Sequence, residues 1–151
     1  MSASEPINDL YSREILRHTA ALSRLGRLDA PDGTGDAVSR TCGSHIVVDI
    51  AMEDGRVSDY AQEVQACALG QCAASIMART VIGATAREVR DLRDRMHVML
   101  KDGGPAPDGR FADLALLEAV RDYPARHGSV MLVFDALVQA VDQGGREAQG
   151  A

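Results

Sequence analysis

The sequence predicts an α+β fold, a small antiparallel three-stranded sheet with helices packed on one face, and three observations predict it. First, His45-Ile-Val-Val-Asp-Ile-Ala-Met-Glu53 is β-branched and alternating and stops at Asp54-Gly55, a strong hairpin signal, after which Arg56 to Gln65 returns. Second, an Ala-rich stretch of helical period follows directly. Third, helical patterns stand on both sides of the strands, and the order helix, sheet, helices places the helices together on one sheet face.

Taken in order, Leu10, Ile15, Leu22 and Leu25 recur at roughly helical spacing between Asn8 and about Gly26, with Asn8 as a cap and Gly26 as a stop. Asp29-Ala-Pro-Asp-Gly-Thr-Gly35 is dense in turn formers and predicts a loop; Asp36 to Thr41 predicts a short edge strand. In the next strand a two-residue period permits one buried set, so Ile46, Val48 and Ile50 are expected to face the helices and Val47 and Asp49 the outside or an edge. Ala68 to Ile82 carries Leu69, Ala73, Ile76 and Thr80 on one helical face, with Gly83 where a C-terminal cap belongs. Thr85-Ala-Arg-Glu88 fits a capping box ahead of the stripe Val89, Leu92, Met96, Met99 and Leu100, which predicts a helix to Lys101. Asp102 to Gly109, rich in Gly and Pro, breaks it. A short helix around Ala112 to Arg121 and a last one from about Ser129 to Val141 complete the pattern, the latter turning Val130, Val133, Phe134, Leu137 and Val141 inward. Residues 8–141 read as one domain and 142–151 as a flexible C-terminal tail.

A chain of 151 residues is long enough to bury about two thirds of its unfolded surface in one core, so no disulfide staple is required. The three cysteines, Cys42, Cys67 and Cys72, are odd in number and unevenly spaced, and Met1 to Leu10 lacks the basic start and apolar run of a signal peptide, which points to a reducing cytoplasm. Lys plus Arg number 16 against 22 Asp plus Glu, a net charge of −6, and aromatics are 3% with no Trp. That surface repels phosphate backbones and lacks stacking platforms, which argues against nucleic acid as a partner. No apolar stretch has membrane-spanning length. No Ser-His-Asp order, Gly-rich phosphate loop or nucleotide motif is present, so hydrolase and kinase chemistry has no residues to carry it.

Cys67 is the candidate reactive thiol. It stands where a strand gives way to a helix, a place where a sulfur faces unpaired backbone N–H groups and the positive end of the helix dipole, which favours the thiolate; the alternative is a buried cysteine acting as a small hydrophobe. Cys72 lies about 140° round a regular helix from Cys67 and is expected in the core, and Cys-x4-Cys is a weak metal pattern. His18 and His45 are expected to be structural and His97 solvated. Ser129 precedes an apolar run and is suited to an N-cap.

Several short motifs resemble the IscU/SufU/NifU-type iron-sulfur scaffold proteins. Tyr11-Ser-Arg-Glu-Ile-Leu-Arg-His18 followed by Leu25-Gly26 is similar to that family's opening helix, with its Asn-Pro-Arg-type turn degraded to Leu22-Ser23-Arg24. Thr41-Cys42-Gly43 and Ala66-Cys67-Ala68 resemble two of its three cysteine sites, and the interval from Cys67 to Gly83 matches. Tyr123-Pro-Ala-Arg126 resembles the Phe-Pro-Ala-Arg run of the SufU branch, as does the long insertion from about Thr85 to Asp122, so the resemblance covers about residues 8–141 and is closest to SufU. The departures are specific. Ser44 stands where the family has an aspartate, Ser129 where it has its third cysteine, and Gly128 where the IscU branch has a histidine, and the Leu-Pro-Pro-Val-Lys docking run is absent.

The resemblance implies a SufE/IscU-like fold and a divergent cluster assembly protein, a scaffold or sulfur acceptor rather than a turnover enzyme. It would accept sulfur from a cysteine desulfurase and work with other iron-sulfur assembly proteins, holding a weak or incomplete zinc or iron-sulfur site at Cys42 and Cys67, with His127 as a candidate third ligand or a plain loop histidine. A SufE-like persulfide acceptor at Cys67 or Cys42 without metal, and a binding module that has lost its chemistry, are the alternatives. In each case Cys42, Cys67 and the Ser129 region are expected at one end of the sheet.

Overall fold

The computed structural model describes residues 12–40 and 43–150, with side chains to residue 144. Its elements are α1 (Arg13–Ala20), β1 (Gly33–Val38), β2 (His45–Glu53), β3 (Arg56–Gln65), α2 (Ala68–Thr80), α3 (Ala86–Asp102), a 3-10 helix (Gly109–Asp122) and α4 (Pro124–Gly150). The three strands form one antiparallel sheet in the order β1-β2-β3. At the β2–β3 turn Asp54 and Gly55 adopt φ of 55° and 77°, the left-handed pair that a tight hairpin turn demands.

The expected inner face holds. Ile46, Val48 and Ile50 are each no more than 1% exposed and join one core with Leu69, Ile76 and Phe134. Burial of such side chains contributes roughly 1.5–3 kcal/mol each. The Thr85 capping box forms in both directions, Glu88 N to Thr85 Oγ1 at 3.1 Å and Thr85 N to Glu88 Oε1 at 3.2 Å, and the whole α3 stripe from Val89 to Leu100 is buried.

Other elements differ from expectation for identifiable reasons. Helix α1 stops at Ala20, well before Gly26, because the backbone of 24–26 pairs with the β3 edge: Gln62 N donates to Arg24 O at 2.9 Å and Gly26 N to Gln62 O at 2.8 Å. Leu25, expected inward, is 63% exposed as a result. At the other end Ser12 caps the helix, its Oγ accepting from Ile15 N at 3.3 Å; the cap expected at Asn8 and the apolar contact expected of Leu10 lie outside the described residues. Strand β1 begins at Gly33, inside the expected loop, and ends at Val38 rather than Thr41.

Asp49 corrects the outer-face reading. It points away from the helices yet is 0% exposed, because the 24–28 segment folds over it. Arg27 donates to its two oxygens at 2.7 and 3.1 Å, Leu28 N at 3.0 Å and Thr34 Oγ1 at 2.7 Å. The last helix starts at Pro124, where a proline's missing N–H costs nothing, so Ser129 lies inside the helix and is no N-cap. It runs on to Gly150, and the boundary expected at 142 falls within it: Gln143 Oε1 accepts from Thr34 N at 2.7 Å, and Gly144 sits close against Ile50 and Met52.

Candidate functional site

Strand β3 delivers the chain to Cys67, which takes an extended conformation (φ −67°, ψ 174°) and serves as the N-cap of α2, its carbonyl accepting from Gln71 N at 2.9 Å. The sulfur makes no capping bond to the helix backbone, contrary to expectation. It turns instead to α4, where Cys67 Sγ lies 3.2 Å from Ser129 Oγ. The thiol is free and half-buried, while Ser129 is 2% exposed.

Gly70 makes this approach possible. It sits one turn into α2, and a Cβ there would come within 2.8 Å of the Ser129 hydroxyl and within 3.1 Å of its carbonyl, so only glycine lets α4 lie this close. The residue signals itself in the sequence as a lone glycine in an Ala-rich helix, a pattern that sequence reasoning passed over. The β1–β2 connection comes to the same end of the molecule. Ser39 N donates to Ser44 O and Gly43 N to Ser39 O, each at 2.8 Å, and a Cβ on Gly128, the residue before Ser129, would lie 3.2 Å from Ser39 Oγ. Ser39 and Ser44 are both buried in this stem. Cys42, which the same connection carries, lies outside the described residues, so the expected meeting of Cys42 with Cys67 is described only as far as the stem on either side of it.

The other candidates are placed as follows. His127 Nε2 donates to the carbonyls of Val120 and Arg121, at 2.9 and 3.1 Å, closing the end of the 3-10 helix and leaving only Nδ1 with a lone pair. Cys72 is fully buried, as expected, and burial pushes its thiol up to about 12, with Arg79 acting in the opposite direction. His18 Nδ1 accepts from Arg79 at 2.5 Å, and burial, then the Arg79 charge, holds its pKa below the ordinary value. His45 Nε2 meets Asp36 Oδ1 at 2.5 Å. His97 is half-buried rather than solvated, in a cleft of about 350 Å³ that it shares with Arg40, Lys101, His127 and Asp135. Among the described residues no three His, Cys, Asp or Glu side chains converge to hold a metal ion. The donors described at the α2–α4 crossing are one thiol and one hydroxyl.

The model of the NifU-like N-terminal domain matches residues 10–130. The chain belongs to that family. Two relatives, each an iron-sulfur cluster assembly scaffold protein IscU, support the same placement. That of Thermotoga maritima is 27% identical over 132 residues, covering 87% of this chain and 92% of the relative. That of Streptococcus pyogenes is 24% identical over 139 residues, covering 92% and 87%. Among solved structures, an N-terminal NifU-like protein from Brucella abortus superposes with a TM-score of 0.91 at 49% identity, covering 94% of this chain and 99% of that one. A SufU-type scaffold protein of Fervidobacterium islandicum, at 19% identity and a TM-score of 0.81 over 89% of this chain and 98% of that one, shares the fold. The NifU-like chain thus carries its family's architecture with a serine where the resemblance places the third cysteine. No helix among the described residues is long and apolar enough to cross a membrane.

Proposed function

We propose that this NifU-like chain acts in iron-sulfur cluster assembly as a sulfur acceptor, taking sulfane sulfur from a cysteine desulfurase at Cys67. The observation that carries the reading is the free, half-buried Cys67 sulfur at the start of α2, held against Ser129 rather than against the helix backbone. In the transfer the Cys67 thiolate attacks the terminal sulfur of the donor's persulfide. The donor's S–S bond breaks as the new one forms, the donor cysteine leaves as its thiolate, and the proton lost by Cys67 balances the one that thiolate regains. No net oxidation occurs. One accessible thiolate suffices, so the serine at position 129 does not block this step.

Cluster or metal is cargo in this reading. Cys42 and Cys67 would hold it with fewer soft donors than a three-cysteine site, since a serine hydroxyl keeps its proton near neutral pH and is a poor ligand for iron or zinc. Incubation with a cysteine desulfurase and cysteine, followed by mass-spectrometric mapping of persulfide, tests the proposal. Persulfide should appear on Cys67 and vanish in Cys67→Ala. Persulfide confined to Cys42 would move the acceptor role to that residue, and none on either would leave a binding role alone.

A further inference from the structure

Strand β1 is an edge strand, and the amides of its even-numbered residues point away from β2. An edge like this offers unpaired N–H groups to any passing strand. Here two of them are taken by side chains of one helix: Thr34 N donates to Gln143 Oε1 at 2.7 Å and Asp36 N to Gln139 Oε1 at 3.0 Å. Alternating with these bonds along the strand, Gly33 and Gly35 press on the same helix, where a Cβ would overlap the carbonyls of Ala140 and Ala136. The spacing explains the fit. Two residues of strand advance about 6.6–6.8 Å, and four residues of helix about 6.0 Å, so an i, i+4 pair on α4 stays in step with an i, i+2 pair on β1.

We infer that Gln139 and Gln143 are register pins, standing in for a missing fourth strand and fixing β1 along α4 so that the β1–β2 stem meets the part of α4 that carries Ser129. Each bond holds a single amide of β1, but the consequence extends beyond it. Slippage of β1 along the helix would carry Ser39 away from Gly128, and with it the stem closed by the Ser39–Ser44 and Gly43–Ser39 bonds away from the part of α4 that carries Ser129. The pins are positioning residues. Their functional consequence rests on the reading of that end as the sulfur-accepting site, whereas their mechanical role does not.

Amide hydrogen exchange followed by NMR separates these possibilities. Gln139→Met with Gln143→Met keeps length, packing and helix propensity and removes both acceptors. Exchange at Thr34 and Asp36 should accelerate by about two- to tenfold, as loss of one net hydrogen bond each implies. Exchange at Ser39 and Gly43, remote from both glutamines, should accelerate in parallel while the β2–β3 ladder stays unchanged, and Gln143→Glu, which still accepts, should restore Thr34. Faster exchange at Thr34 and Asp36 with Ser39 and Gly43 unmoved would overturn the register role and leave simple edge protection; no change at Thr34 and Asp36 would overturn the pins themselves. If the double variant fails to fold, Gln143→Met alone poses the same question at Thr34 and Ser39. Persulfide formation on Cys67 in the unmodified protein is read separately, so failure of the sulfur-acceptor reading cannot be mistaken for failure of the pins.

Discussion

Cys67 and Cys72 differ by five positions and by almost everything that governs thiol chemistry. Cys67 is half-buried with its sulfur against a hydroxyl, and Cys72 is fully enclosed between helices, where burial disfavours its thiolate. Iodoacetamide at pH 8 should therefore label Cys67 in the native protein and leave Cys72 untouched until denaturant is added. Tryptic mass spectrometry checks it, and native labelling of Cys72 would show that the core around it opens. The contrast between the two was legible in the sequence, because a helix of known period sends residues five apart to different faces. The role of Ser129 was not. A serine before an apolar run has the signature of an N-cap, and only the start of α4 at Pro124 converts that position into a mid-helix site facing Cys67.

At the scale of elements, the alternation of Ile46, Val48 and Ile50 and the Asp54-Gly55 turn were legible because period and turn chemistry are local properties. The start of β1 was not: the expected edge strand is present but begins at Gly33 rather than Asp36, in a Gly-Thr-Gly run that carries a turn signature and whose glycines serve a helix backbone more than a hundred residues away in sequence. Asp49 belongs with these long-range effects. Burial pushes its carboxyl up, but bonds from Arg27, Thr34 and Leu28 outweigh that and hold it below the ordinary 3.8. A carboxyl depressed by folding contributes stability that is present in full above its unfolded pKa, about 3.9, and is lost as pH falls through the lower folded value. Asp49→Asn, which turns an amide N–H₂ toward buried donors, should cost about 1–3 kcal/mol at pH 7. Urea unfolding of both forms from pH 7 down to pH 3 measures this. The gap should be constant at neutral pH and narrow below about pH 4, and a gap unchanged with pH would mean that Asp49 does not tie the 24–28 segment to the sheet through its charge.

For the whole molecule, the family's architecture is present, and the serine at position 129, where the resemblance places a third cysteine, would separate two capacities that a three-cysteine site combines. Sulfur acceptance needs one accessible thiolate, whereas tight metal binding needs several donors acting together, a complete structural zinc site being worth about 10–16 kcal/mol. The unmodified protein should therefore bind zinc weakly. Ser129→Cys should change that, because the Ser129 hydroxyl lies 3.2 Å from the Cys67 sulfur and a longer side-chain bond at the same position would bring a second thiolate within reach of an ion held by Cys67, near the 2.3 Å of a zinc–sulfur bond. Gly70 leaves room for that larger atom only narrowly, so circular dichroism must first show that the variant keeps the native fold. Zinc titration against a competing chelator should then give a dissociation constant lower by at least about tenfold, equivalent to about 1.4 kcal/mol, and adding Ser44→Asp should lower it further. Tight stoichiometric zinc in the unmodified protein would sink this argument, and would indicate that Cys42 and Cys67 recruit a further donor, with His127 Nδ1 the first to examine by Nδ1-selective NMR.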